Sequence, residues 1–273
     1  MVVSFHPCFV GDVNLVCAGR DPGARDLAAI EAADAVILPQ GCRQSLFEMA
    51  RRHGRRVFPD YNVRFDYPGK TGQIRLFRKT GALHPESVLF SDPGQCLTEF
   101  NRQPPMAFPL VFKFDWGGEG EGVRRFDRVE ALCRFLQERG KEPPYPCLVQ
   151  EFIPGADRTL RVVVIGRSLH SYWRVAETAD GFYANVARGG IIDRDSEPQL
   201  QADGRTAVQD ICRKTGIDLA GFDLIFAEDR NEKTPLFLEI NWYFGRRGLG
   251  GAEAFYRLLE DEIRRWLKET DDR

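Results

Sequence analysis

Residues 109–123 read PLVFKFDWGGEGEGV, and this stretch restricts the fold more than any other. A short apolar run, Leu110, Val111 and Phe112, carries one lysine, Lys113, straight into a loop where Gly117, Gly118, Gly120 and Gly122 put four glycines in six positions. Glycine lets the backbone turn through positive φ and approach a neighbour closely. A loop of free amides beside a lysine makes a cradle for polyphosphate; the plainer alternative is a Gly-rich hairpin turn. Three familiar nucleotide motifs fail here. A dinucleotide fingerprint needs G-x-G-x-x-G, but from Gly118 the spacing gives Gly120 and then Val123. The protein-kinase lysine follows its glycine loop, whereas Lys113 precedes this one. The Gly-Lys-Thr at 69–71 has Arg64 where the first glycine of a P-loop would stand. The order that remains is strand, lysine, glycine turn, strand.

Two later segments, 221–227 (GFDLIFA) and 236–241 (LFLEIN), read as strands. Side chains alternate across a strand, so Asp223 lies opposite Phe222 and Leu224, and Glu239 and Asn241 share a face opposite Leu238 and Ile240. If the strands pair, three oxygen donors converge. Magnesium takes few protein oxygens and completes its shell from water and phosphates, which suits two carboxylates and one amide; the alternative is acids on the wet face of an antiparallel pair.

Taken together, these pieces resemble the ATP-grasp superfamily, nearest to its branch of ribosomal-protein glutamate ligases and glutathione synthetases. The likeness runs from about Lys70 to the 245–251 segment. It implies an α/β fold with an N-terminal parallel pre-grasp domain over 1–68, followed by a two-lobed grasp over 69–273 with lobes at about 69–150 and 151–273. It also implies an ATP- and magnesium-dependent ligase, manganese being the substitute metal, that joins a carboxylate to an amine through an acyl phosphate. A non-ligating nucleotide sensor or partner subunit and a phosphotransferase are the rival readings. By this resemblance Lys70, Lys113 and the glycine loop grip the phosphates, and Asn185, within NVARGG, lies beside them. The 147–153 strand (CLVQEFI) supplies base contacts through Gln150, Glu151, Phe152 and Ile153. Arg161 and Arg174 are aimed at the transferring phosphate and the carboxylate, and Asp223, Glu239 and Asn241 hold the metal. The chain departs from the pattern twice. Thr159 stands where an acid usually recognises ribose, leaving Asp157 as the nearest substitute. After Asn241 the usual small residues and proline give way to Trp242, Tyr243, Phe244, Gly245, Arg246, Arg247 and Gly248. The substrate pocket is therefore expected to differ in shape and charge, with Arg188, Arg246 and Arg247 as candidate partners for a carboxylate-bearing substrate, small-molecule or peptide.

The remaining sequence agrees with this class. A chain of 273 residues can bury a large core, and 38 basic against 40 acidic residues give no bulk case for nucleic acid or an anionic membrane. Seven cysteines without a C-x-x-C pair argue against a zinc ribbon or a disulfide framework and, with no signal peptide evident, for reduced thiols in a cytoplasm. No apolar run reaches membrane-spanning length, and association between copies of the chain stays open. Strands are expected at 2–5, 14–18, 35–38, 147–153, 159–165 and 168–175. Helices are expected at 25–33, 45–53, 71–81, 128–139 and 252–270, each spaced to bury one face. Arg161 and Arg174 fall inside strands, where so long a charged group needs a cleft or partner to face.

Overall fold

The computed structural model describes residues 1–115, 117, 122–139, 145–154, 158–175, 191–227 and 233–269. The first layer is a parallel sheet of β1 (Val2–Ser4), β2 (Val13–Asn14), β3 (Ala35–Ile37) and β4 (Val57–Phe58), in the order β2-β1-β3-β4. Helices α1 (Ala24–Ala32) and α2 (Gln44–His53) connect its strands, and a core of Val3, Phe5, Ile30, Val36, Leu38 and Phe47 fills it. The 14–18 strand expectation shrinks to Val13–Asn14, because from Leu15 the chain leaves the ladder and Arg20 turns back to bond the Val16 carbonyl.

Two short helices lead onward, α3 (Asn62–Asp66) and α4 (Gly69–Thr80), the second stopped by Gly81 at φ 72°. A four-stranded antiparallel sheet follows, ordered β5-β8-β6-β7, from β5 (Ser87–Phe90), β6 (Leu110–Phe114), β7 (Val123–Phe126) and β8 (Cys147–Glu151). Helices α5 (Pro93–Arg102) and α6 (Val129–Arg139) cover one face, over Phe90, Phe100, Phe112, Leu132 and Leu136. A second antiparallel sheet, β11-β10-β9-β12-β13, is built from β9 (Arg158–Ile165), β10 (Ser168–Val175), β11 (Ile191–Asp193), β12 (Leu219–Phe226) and β13 (Pro235–Asn241). One of its faces packs under α4 and the 18-residue helix α7 (Pro198–Thr215), around Leu160, Val162, Phe222, Leu224 and Phe237. Part of the other face is closed by α8 (Ala252–Lys268) through Phe255, Leu259 and Ile263 against Val163, Ile165 and Leu219. What α8 leaves uncovered on that face is the site.

Helix α7 was not anticipated from the sequence. Its inner face is Gln201, Gly204, Val208 and Ile211 rather than a run of large apolar residues. Gly204 fits because a side chain there would begin 2.3 Å from Leu160 Cδ2. No helix among the described residues is long and apolar enough to cross a membrane.

Candidate functional site

The site starts from strand register. β9 pairs Arg161 with Asp223 on β12, β12 pairs Asp223 with Glu239 on β13, and β10 pairs Tyr172 with Arg161 and Arg174 with Thr159. Side chains in register share a face, so Tyr172, Arg161, Asp223 and Glu239 form a row across four strands, with Arg174 and Thr159 one step along. Arg161 grips Asp223 in a fork, Nε to Oδ1 at 2.5 Å and Nη2 to Oδ2 at 2.9 Å, and each residue is 5% exposed. Arg174 Nη2 reaches the same Oδ2 at 2.9 Å, and Asn241 Nδ2 donates to it at 3.0 Å. Burial pushes the Asp223 carboxyl up, but the two guanidinium groups and these bonds outweigh it and hold it below the ordinary carboxylate range. Gly221, in register with Asn241, leaves room for the fork, since a Cβ there would lie 3.2 Å from Arg161 Nη1.

A bulge re-aims β13. The register passes from Asp223–Glu239 to Leu224–Phe237, leaving Leu238 as the extra residue. Leu238 was expected opposite Glu239; instead it packs with Leu236, Ile225, Ala227 and Ile153, an apolar floor on the Glu239 side. This floor joins the exit of β8 to the site face of β12 and β13.

The facing wall comes from the other antiparallel sheet. Leu110, Phe112 and Phe114 of β6 point into its core, so alternation sends Lys113 toward the cleft. Lys113 Nζ donates to Gln150 Oε1 at 2.6 Å, and Gln150 Nε2 donates to Ser87 Oγ at 2.9 Å. Burial, and secondarily the Lys70 charge, lower the lysine from its ordinary value to about 8, although Glu239 and Asp223 pull the other way. That Glu239, Asp223 and Lys70 all act on Lys113 places the four around one cleft. Lys70, in the first turn of α4, donates to the Gly117 carbonyl at 2.9 Å. Gly117 and Gly122 take φ of 89° and 74°, so both ends of the glycine loop turn as only glycine does readily.

Two residues not foreseen from the sequence fix this geometry. Asp115, just after Lys113, accepts the Thr71 amide at 2.6 Å and caps α4 from outside the helix. Gly69 lies against it at φ 69°, where a Cβ would sit 2.2 Å from the carboxylate. Gln73 of α4 clasps β13 with both amide atoms, Nε2 to the Ile240 carbonyl at 2.8 Å and Oε1 from the Ile240 amide at 2.9 Å. The helix bearing Lys70 is thus tied to the Lys113 strand and to the Glu239–Asn241 strand.

Other expected residues divide. Gln150 acts through its side chain on Lys113, and the Glu151 amide is taken by the Glu86 carbonyl at 2.8 Å, while Phe152 stacks against Arg125, 4.2 Å away. Ile153 lines the apolar floor beyond the ladder's end. Thr159 Oγ1 accepts from Arg174 Nε and Nη2 at 3.1 and 3.0 Å, so this position orients the arginine. Arg247 is exposed; Arg246 is half-buried among rings, 4.6 Å from Tyr256 and 5.0 Å from Phe255. Trp242 and Phe244 turn into the cores, leaving Tyr243 outside, 70% exposed. Gly118, Gly120, Asp157, Asn185 and Arg188 lie outside the described residues.

For a divalent metal the donor set fits in part. Among the described residues no three His, Cys, Asp or Glu side chains gather to hold an ion, but two carboxylates and an amide do converge here. Asp223 already accepts four bonds, whereas Glu239 accepts none among the described residues and Asn241 keeps Oδ1 open. Glu239 and Asn241 therefore keep free oxygen donors, whereas the Asp223 oxygens are engaged by Arg161, Arg174 and Asn241.

Two antiparallel sheets closing on such a cleft, behind a parallel sheet, are the ATP-grasp architecture. A RimK domain ATP-grasp protein from Sphaerobacter thermophilus superimposes with a TM-score of 0.65 at 15% identity, covering 96% of this chain and 98% of that one. An N5-carboxyaminoimidazole ribonucleotide synthetase from Thermotoga maritima gives 0.64 at 16% identity, over 98% of this chain and 69% of its own. D-alanyl-alanine synthetase A from Vibrio cholerae gives 0.64 at 12% identity, over 86% and 77%. No curated protein sequence gives a significant match. The family model of the RimK-like ATP-grasp domain matches residues 69–252, and the chain belongs to that family.

Proposed function

We propose that this protein is an ATP- and magnesium-dependent ligase that activates a carboxylate as an acyl phosphate and joins it to an amine, releasing ADP and phosphate. The observation that carries this reading is the charge of the cleft. Among the described residues Lys70, Lys113, Arg161 and Arg174 face Asp223 and Glu239, four cations against two carboxylates, while Asp115 is engaged at the α4 terminus. A nucleoside triphosphate carrying one divalent cation supplies the matching excess of two negative charges. The synthetases among the similar structures, named for ribonucleotide and alanyl-alanine synthesis, favour ligation over plain binding.

In this reading Lys113, aimed by Gln150, and Lys70, tied to the glycine loop, neutralise the phosphates while loop amides close over them. Ile153, Leu236 and Leu238 offer the base an apolar surface. Magnesium, held by Glu239, Asn241 and a share of Asp223, would offset charge on the phosphate oxygens. Arg161 fixes Asp223; Arg174, whose Nη1 has no partner among the described residues, is the guanidinium free to meet the reacting groups. A carboxylate oxygen attacks the γ-phosphorus and ADP leaves; the amine nitrogen then attacks the acyl carbon, loses its proton, and phosphate departs.

The test is product analysis with pools of amino acids, peptides and small acids. ADP and phosphate that require both a carboxylate and an amine support the ligase. ADP with a stable phosphorylated product marks a phosphotransferase, and nucleotide binding without turnover in any pool marks a sensor.

A further inference from the structure

A cavity of about 750 Å³ opens where the parallel sheet meets the second antiparallel sheet, and no residue of the cleft lines it. Arg55, Arg56 and Asp60, on either side of β4, form one wall. Arg167 of the β9–β10 turn, Asp218 at the head of β12 and the last two turns of α8 form the other. Small-molecule sites favour junctions of this kind and cavities of this size. Specific contacts hold the junction together. Arg56 lies over the Trp266 ring at 4.2 Å and donates to the Trp266 and Leu267 carbonyls at the end of α8, and the Asp60 amide donates to Asp218 Oδ1 at 2.9 Å.

Most charged groups around the cavity are already matched. Arg55 holds Asp34 at 2.8 Å and Arg167 holds Glu269 at 2.7 Å. Glu262 takes Arg265, the Arg167 amide at 3.0 Å and Ser168 Oγ at 2.6 Å. Four groups are not matched. Among the described residues Arg56 and Lys268 meet no carboxylate, and Asp60 and Asp218 meet no cation. Oδ1 of each aspartate accepts a backbone amide, Asn62 to Asp60 at 2.8 Å and Asp60 to Asp218, while Oδ2 of each is open among the described residues. Burial, and after it the Asp60 charge, push the Asp218 carboxyl up to about 7 against the pull of the Asp60 amide, and no lysine or arginine offsets them. A half-buried carboxylate without a counter-charge is costly. The acidic pair therefore stands apart from the cations of the same cavity.

We propose that this cavity is an effector site for a small zwitterion, a molecule carrying an ammonium at one end and a carboxylate or phosphate at the other. Oδ2 of Asp218 and of Asp60 take the ammonium, and Lys268 and the Arg56 guanidinium take the anion. The ligand is neutral overall because two carboxylates and two cations are left to match. Its place outside the cleft makes the site independent of the ligase reading. A ligand bridging the two walls stabilises the junction of the sheets in its present arrangement. The titratable groups acting with Asp218 are Asp60, Cys212 of α7 and Tyr61, and burial pushes the last two upward, so both are uncharged at neutral pH. An ammonium beside Asp218 draws its carboxyl back down, so binding releases part of a proton near pH 7.

The test is calorimetry on the full chain near pH 7, in two buffers of different ionisation enthalpy. The panel is β-alanine, γ-aminobutyrate, ε-aminocaproate and O-phosphoethanolamine, with putrescine as the cation alone and succinate and inorganic phosphate as the anion alone. At least one zwitterion is expected to bind more tightly than all three controls, to release a proton fraction and to raise the melting temperature. Asp218→Asn keeps an acceptor for the Asp60 amide. It should weaken that binding roughly ten- to hundredfold, the size of a lost charge-assisted hydrogen bond, and abolish the proton release. Lys268→Ala, at an exposed side chain, should weaken it less. Both variants should melt cooperatively and bind a non-hydrolysable ATP analogue as wild type does. The inference fails if nothing in the panel binds, or if putrescine, succinate or phosphate binds as tightly as every zwitterion. It fails equally if Asp218→Asn binds the zwitterion as wild type does, which would place that ligand in the cleft.

Discussion

Lys113 offers a prediction whose size follows from the structure. Part-buried and, among the described residues, hydrogen-bonded to a neutral amide alone, its ammonium is lowered by desolvation from the ordinary 10.5 to about 8. That difference corresponds to about 3 kcal/mol between the two protonation states. A lowered lysine disfavours the folded form while charged, so the ligand-free protein should gain stability as pH rises from about 8 toward about 10.5. Polyphosphate reverses the balance by giving the ammonium its counter-charge and moving it back toward the ordinary value. Nucleotide binding should therefore take up about half a proton near pH 8, and affinity should fall by up to tenfold per pH unit above it. Calorimetry in two buffers of different ionisation enthalpy, repeated over that range, measures both effects. Lys113→Met should weaken binding and abolish the proton uptake and the alkaline slope together. Affinity that is independent of pH in wild type, with no proton taken up, would refute this account of Lys113.

Three further outcomes follow from the same geometry. Arg161→Ala strips the fork from a buried carboxylate and should cost about 3–5 kcal/mol in urea unfolding; a loss under about 1 kcal/mol would mean Arg174 alone suffices. Glu239→Gln leaves the fork intact and should raise the magnesium needed for half-maximal nucleotide binding without lowering the melting temperature; matching titrations would remove Glu239 from the metal set. Gly248→Ala puts a Cβ 2.0 Å from the buried Tyr172 ring and should destabilise by about 1–3 kcal/mol; an unchanged melting curve would show that the 245–251 segment lifts freely.

How much of this was legible in sequence depends on how local each signal was. The parallel sheet and the Lys113 strand announce themselves as short apolar runs and the β12–β13 pair through alternation, and the Asp223, Glu239 and Asn241 spacing survives into the fold. The bulge at Leu238 does not, because a bulge keeps the apolar pattern and changes only the partner strand's register. Helix α7 stayed hidden because a glycine and a glutamine occupy its inner face. Asp115 and Gln73 act across 44 and 167 residues of chain, through contacts no local period encodes. The place of Gln150 on β8 was legible, but its side-chain bond to Lys113 was not.

The central claim, carboxylate activation at the γ-phosphate, is tested most directly by isotope transfer. With a substrate pair from the pool screen and the carboxylate labelled with oxygen-18, the account predicts one labelled oxygen in the phosphate released for each amide formed, with ADP as the nucleotide product. Unlabelled phosphate during confirmed amide formation, or AMP and pyrophosphate in place of ADP and phosphate, would contradict it.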